Sequence, residues 1–124
     1  MRIISTPSAP AAIGPYSQAV EANGFIFISG QLPIDPATAQ MAPADTKLQT
    51  EASIKNIEAI LKSEGLTLEN VLKTTVFMAD LGQFAQMNEV YAKFFSKNPP
   101  ARAAVEVKAL PKAALVEIEA VAAR

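Results

Sequence analysis

The stretch that most constrains the fold is the last quarter of the 124-residue chain, where apolar residues recur at every second position. Ala103, Val105, Val107 and Ala109 follow Pro99-Pro100, and Val116, Ile118 and Ala120 follow a break at Leu110-Pro111. A period of two is the signature of strands with one buried face. Arg102 opens the first of these strands, and since Arg2 and Arg124 sit at the termini it is the single guanidinium in the body of the chain. Spacing alone fits either an ordinary surface arginine in a weak ion pair or a planar fork that grips a small carboxylate at two points. Glu117 and Glu119 project from the face of the last strand opposite Val116 and Ile118, the ordinary pattern of solvated glutamates.

The residue types that are missing narrow the chemistry. The chain has no cysteine and no histidine, hence no thiol nucleophile, disulfide or Ser-His dyad, and none of the usual nitrogen or sulfur ligands of zinc. Carboxylates, tyrosine, lysine, one interior arginine and backbone amides remain. Such a set can hold an anion, place a water and move one proton, which suits a substrate that is already reactive. Eleven basic and twelve acidic residues balance to a net charge of −1 without like-charge runs, so neither nucleic acid nor an anionic membrane is an expected partner. No stretch approaches the ~20 apolar residues of a membrane span and no leader is evident, so a cytoplasmic location is expected.

In chain order, Arg2 to Ser5 is a short possible strand before a Pro- and Ala-rich loop. Ser17 to Glu21 and Gly24 to Gly30 read as a hairpin turning at Asn23-Gly24. Phe25, Phe27 and Ser29 fall on one face of its second strand. Gly30 marks either a bulge or a close backbone approach to a ligand. An irregular, Pro-rich loop covers Leu32 to Ala44. Asp45 or Thr46 caps a helix in which Thr46-Lys47-Leu48-Gln49 fits a capping box and Leu48, Ile54, Ile57, Ile60 and Leu61 form a stripe that Gly65 ends. Glu51 with Lys55 and Glu58 with Lys62 give its solvated face. Val71 to Ala79 reads as a strand, and Asp80 caps a second helix with Phe84, Met87, Tyr91 and Phe94 as its packing stripe. The order strand, strand, strand, helix, strand, helix, strand, strand predicts one α+β domain over residues 1–124, with two helices on one face of a single mixed sheet.

Four stretches resemble the reactive intermediate deaminase family (RidA, also called YjgF): Ala11-Ala12-Ile13-Gly14-Pro15-Tyr16-Ser17-Gln18-Ala19, Ile28-Ser29-Gly30-Gln31-Leu32-Pro33, Lys73-Thr74-Thr75-Val76-Phe77, and Pro100-Ala101-Arg102 through Leu110-Pro111-Lys112 to Val116-Glu117-Ile118-Glu119-Ala120. The resemblance implies a chorismate-mutase-like fold, a homotrimer with ligand clefts between subunits, and hydrolysis of enamines and imines without metal or organic cofactor. It implies that Arg102 holds the substrate carboxylate, Glu117 positions water, Tyr16 lines the pocket or relays a proton, and Ser29, Gly30, Asn88 and Ala104 contact the ligand. Some relatives carry Cys, Thr or Ser where this chain has Ala104, which leaves only a backbone role there. A non-catalytic module binding 2-oxo acids in the same cleft is the alternative. One geometric difficulty stands. If the last two strands were a simple hairpin, Arg102 and Glu117 would lie roughly 20 Å apart. Either those strands are not simple neighbours or the two residues meet across a subunit boundary.

Overall fold

A computed structural model describes residues 1–124. The elements are β1 (Arg2–Ile4), β2 (Ala19–Ala22), β3 (Phe25–Gln31), α1 (Thr46–Ser63), β4 (Val71–Met78), α2 (Phe84–Phe94), β5 (Ala101–Glu106) and β6 (Val116–Ala123). Three single 3-10 turns lie between them, at Leu68–Asn70, Leu81–Gln83 and Pro111–Ala113. The hairpin between β2 and β3 turns at Asn23 and Gly24, with φ of 53° and 80°, the paired positive angles that a tight hairpin turn demands.

The strands form one sheet in the order β1-β2-β3-β6-β4-β5. Its ladders are antiparallel apart from β4 and β5, which run parallel. Parallel neighbours need a crossover, and α2 supplies it. β6 is therefore central, bonded to β3 on one side and β4 on the other. Val116, Ile118, Ala120 and Ala122 all point to the helices and are buried. Ile54, Ile57, Ile60 and Leu61 of α1 and Met87 and Tyr91 of α2 close over that face. Each fully buried isoleucine of α1 contributes about 1.5–3 kcal/mol of burial. The face away from the helices has no such cover: Phe25, Phe27 and Val105 stand on it exposed.

Several local expectations need correction. Asp45 caps α1 through Oδ1, which accepts from the Leu48 N–H at 2.9 Å. The predicted capping box does not form, because Gln49 is buried and turned inward. Its Nε2 donates to the carbonyls of Ala42 and Pro43 while its Oε1 accepts from the Leu115 N–H. Leu48 consequently faces solvent. The strand opened by Arg102 ends at Glu106 and has no buried face, only Ala104 being half-covered. It is the sheet's edge, so its alternation marks pleating without burial. Gly65, at φ 73°, ends α1 as expected, its N–H donating to the Lys62 carbonyl.

Candidate active site

The predicted site residues separate into two groups on opposite faces of the sheet. The first surrounds Glu117. Phe77, paired with Glu117 across β4 and β6, places that carboxylate on the face away from the helices. There a cleft of about 660 Å³ is lined by Glu117 and Glu119 together with Tyr16, Ser29, Gly30 and Lys112. Glu117 is half-buried, and its carboxyl is held above the ordinary range, chiefly by loss of hydration and secondarily by the charge of Glu119. A carboxylate in that state is a stronger base than one in water.

Gly30 explains where that carboxylate sits. The β3–β6 register shifts between Ile28 and Gln31, so a bulge, one of the two readings of Gly30, is present. A Cβ built on Gly30 would stand 2.8 Å from Glu117 Oε2, closer than any real methyl can approach. The space a side chain would occupy is filled by the carboxylate of β6. Ser29 is tied into the scaffold, its Oγ donating to the Ser17 carbonyl at 2.6 Å and its N–H to the Gln18 carbonyl. That hydroxyl retains acceptor capacity and has no proton left to donate. Tyr16 is 53% exposed at the cleft wall.

Two buried amides fix the loops that wall this cleft. Gln18 accepts the Thr6 N–H at 2.7 Å and donates to the Pro10 carbonyl at 2.8 Å. Asn56 of α1 donates to the carbonyls of Leu32 and Ile34 at 3.0 and 2.9 Å. Buried amides satisfied in this way hold irregular backbone in one conformation. Sequence reading missed Gln18, Lys112 and Glu119 as parts of the cleft and Asn56 as the support of its wall. Gln18, Lys112 and Glu119 lay inside quoted motifs without being given a role, whereas nothing local marks Asn56.

The second group surrounds Arg102. Its partner on β4 is Thr74, which is buried under α2 with its hydroxyl 2.7 Å from that of Tyr91. Arg102 therefore points to the helix side. The guanidinium carbon lies 4.7 Å from the centre of the Tyr91 ring and 5.3 Å from that of Phe84. Nη1 donates to Asn88 Oδ1 at 2.8 Å. Stacking and one hydrogen bond orient the fork while Nε and Nη2 stay available. Asn88 thus acts on Arg102 within one chain. Ala104, two residues on, packs its methyl against the core.

Within one chain the two groups cannot share a small ligand. Arg102 is level with Thr74 and Glu117 with Phe77, a diagonal of about 14 Å between backbones, with the side chains on opposite faces. β4 separates β5 from β6, which answers the sequence-based difficulty: the strands are not neighbours.

Comparison with known proteins agrees with this architecture. The family model for Endoribonuclease L-PSP matches residues 6–124. A RutC family protein of Pyrococcus horikoshii is 52% identical over 120 residues, 97% of this chain and 95% of its own. The human 2-iminobutanoate/2-iminopropanoate deaminase is 49% identical over 121 residues, 98% of this chain and 88% of its own. The crystal structure of Escherichia coli TdcF with bound serine superposes with a TM-score of 0.95 at 44% identity, covering 100% of this chain and 99% of that one. The E. coli YjgF structure does so at 0.96 and 45%, with the same coverage. The chain, with its bulge-seated glutamate and edge-strand arginine, belongs to the RidA/YjgF family of the Endoribonuclease L-PSP proteins.

Proposed function

We propose that this protein hydrolyses 2-iminocarboxylates to 2-oxo acids and ammonia, as a homotrimer whose clefts combine the Glu117 group of one subunit with the Arg102 group of the next. The observation that carries the reading is the division of an anion-gripping fork and a basic carboxylate between opposite faces of one sheet, which makes each a half-site. The exposed Phe25, Phe27 and Val105 give the uncovered face a reason to meet another copy. Relatives near 50% identity named as imine deaminases supply the substrate class. The serine bound to TdcF has the same small carboxylate.

Arg102 pairs with the substrate carboxylate through its free N–H groups, and the Ala104 backbone lies beside it. Glu117 takes a proton from water as the oxygen bonds to C2 and the C=N electrons move to nitrogen. Glu117 returns that proton to the nitrogen, giving a carbinolamine; it then takes the C2 hydroxyl proton and passes it to the same nitrogen as the carbonyl forms and the C–N bond breaks, so that ammonia leaves with both protons of the water. Gly30 leaves room for the carboxylate, Ser29 holds the bulge, and Tyr16 closes the cleft over the reacting carbon. No group beyond the chain's own is required by this chemistry.

The test is turnover. With an amino-acid oxidase generating 2-iminobutanoate in semicarbazide, the protein is expected to suppress semicarbazone formation and accelerate ammonia release. Absence of both, with 2-oxobutanoate still bound, would assign the cleft to a ligand-binding module instead.

A further inference from the structure

The turn between β5 and β6 is built against conformational preference. Lys112 has φ 57° and ψ 27°, and Ala113 follows at φ 56°. Both lie in the left-handed region, where a Cβ is disfavoured. Most other left-handed positions here hold glycine or asparagine: Gly14, Gly24, Gly65, Asn23 and Asn98. Two consecutive residues in that region persist only where surroundings impose it. Here Ala114 is buried, the Leu115 N–H donates to the inward-turned Gln49 at 2.7 Å, and the Leu115 carbonyl accepts from Ala79.

The consequence is the placement of one charge. Lys112 lines the cleft that holds Glu117 and Glu119, and it is the only cation among the lining residues. It takes part in none of the chain's ion pairs. A cleft whose remaining charges are two glutamates repels an anionic substrate, and a free ammonium at its wall reverses that locally.

We propose that Lys112, presented by the left-handed turn, is a recruiting residue that draws small carboxylates into the Glu117 cleft before the Arg102 fork engages them. The proposal rests on the imine-hydrolase reading for its substrate and adds a second, separable cation to it. A recruiting charge acts on KM and on association, and it weakens as salt screens it.

The experiment compares parent, Lys112→Gln, Lys112→Arg and Lys112→Gly proteins in the assembled state, at about 20 mM and about 500 mM salt. At low salt Lys112→Gln is expected to lower kcat/KM about fivefold, mostly through KM, and to weaken calorimetric binding of 2-oxobutanoate by a similar factor. At high salt both effects should shrink below about twofold, and Lys112→Arg should retain near-parental values. Lys112→Gly should melt higher than the parent, since glycine adopts the turn freely, and yet lose activity as Lys112→Gln does. That split excludes a purely structural role. Parental kcat/KM in Lys112→Gln at low salt, or a loss that salt leaves unchanged, would overturn the proposal. If the parent turns over no imine, the activity reading fails, and Lys112 is still judged by the salt-sensitive change in 2-oxobutanoate affinity.

Discussion

The molecule treats two pairs of glutamates in opposite ways. Glu21 on β2 and Glu64 after α1 meet both terminal arginines: Arg2 bonds to each carboxylate, and Arg124 reaches Glu21 at 2.7 Å and Glu64 at 2.6 Å. Those bonds, Arg124 first and Arg2 second, pull the Glu21 carboxyl down to about 2. Glu64 is lowered too, chiefly by Arg2. Glu117 and Glu119, on the central strand, have no arginine from their own chain. Burial there pushes the Glu117 carboxyl the other way. With two of three arginines holding the chain ends together, the remaining one is Arg102. One glutamate pair is neutralised and structural; the other has no ion-pair partner in its own chain, and burial keeps the Glu117 carboxyl basic in a cleft that lacks a guanidinium.

The largest expected effect comes from removing the Arg102 fork. In Arg102→Ala and Arg102→Lys, kcat/KM should fall about thirtyfold to several thousandfold, since a desolvated, hydrogen-bonded ion pair is worth ~2–5 kcal/mol and an exposed one under ~1. Lysine keeps the charge and loses the fork. Mixing unfolded Arg102→Ala and Glu117→Gln chains and refolding them together should restore activity in about one-quarter of clefts, half times half in a random assembly. Mixed oligomers as inactive as either parent would place both residues in one subunit's site.

The second prediction uses sign. Replacing Glu117 by Gln should lower kcat by about 10²–10⁴ through loss of the base, and at neutral pH should also raise Tm by about 1–4 °C. A carboxyl whose folded pKa lies above its unfolded value favours the fold below the unfolded pKa, and that contribution is lost as pH rises through the folded one. The neutral amide escapes this penalty. The Tm advantage should therefore vanish at pH 3, and parental activity should fall on acidification through the raised Glu117 pKa. Scanning calorimetry and a pH–rate profile check both; equal Tm values at pH 7 would mean that the burial of Glu117 carries no penalty.

Local pattern carried most of the architecture. The alternation of Val116, Ile118 and Ala120, the Asn23-Gly24 turn, the Ile54-Ile57-Ile60-Leu61 stripe and the Gly65 stop all act within a few residues, and all formed as read. Sheet order was not legible, because whether β4 inserts between β5 and β6 depends on pairing across the chain. The alternation after Arg102 overstated burial for a related reason: pleating is local, while covering a face requires a helix that lies elsewhere. Gln49 resembled a cap residue because its spacing was right, and the loop it ties lies several residues upstream. At the site, the face of Glu117 followed from its strand and its loss of hydration did not. Lys112 closed the quoted Leu110-Pro111-Lys112 stretch, but its left-handed backbone and its place in the cleft were not legible, since its surroundings impose them. The terminal arginines were passed over because position in the sequence says nothing of proximity in space.

The smallest expected effect tests the other glutamate pair. Glu21 titrates near 2 in the folded protein against about 4.3 for an ordinary glutamate. A carboxyl with a depressed folded pKa contributes stability above its unfolded pKa and loses it as pH falls toward the folded one. The window therefore runs from about pH 4–5 down to about pH 2. Glu21 and Glu64 keep little exposed side-chain surface, while Arg2 and Arg124 stay about half open to water, so solvent screens the network and its contribution is modest. Glu64→Gln should lower Tm by about 1–2 °C at pH 7 and low salt. The difference should close toward pH 2 and in high salt, and imine turnover should be unchanged. This is the opposite sign, at neutral pH, to Glu117→Gln. Hydrogen exchange should locate the loss at Ile3 and Ile4 of β1, whose short ladder to β2 is held at its open end by Arg2. Parental exchange there would mean that the three-residue pairing alone keeps β1 in place and the arginines add nothing to it.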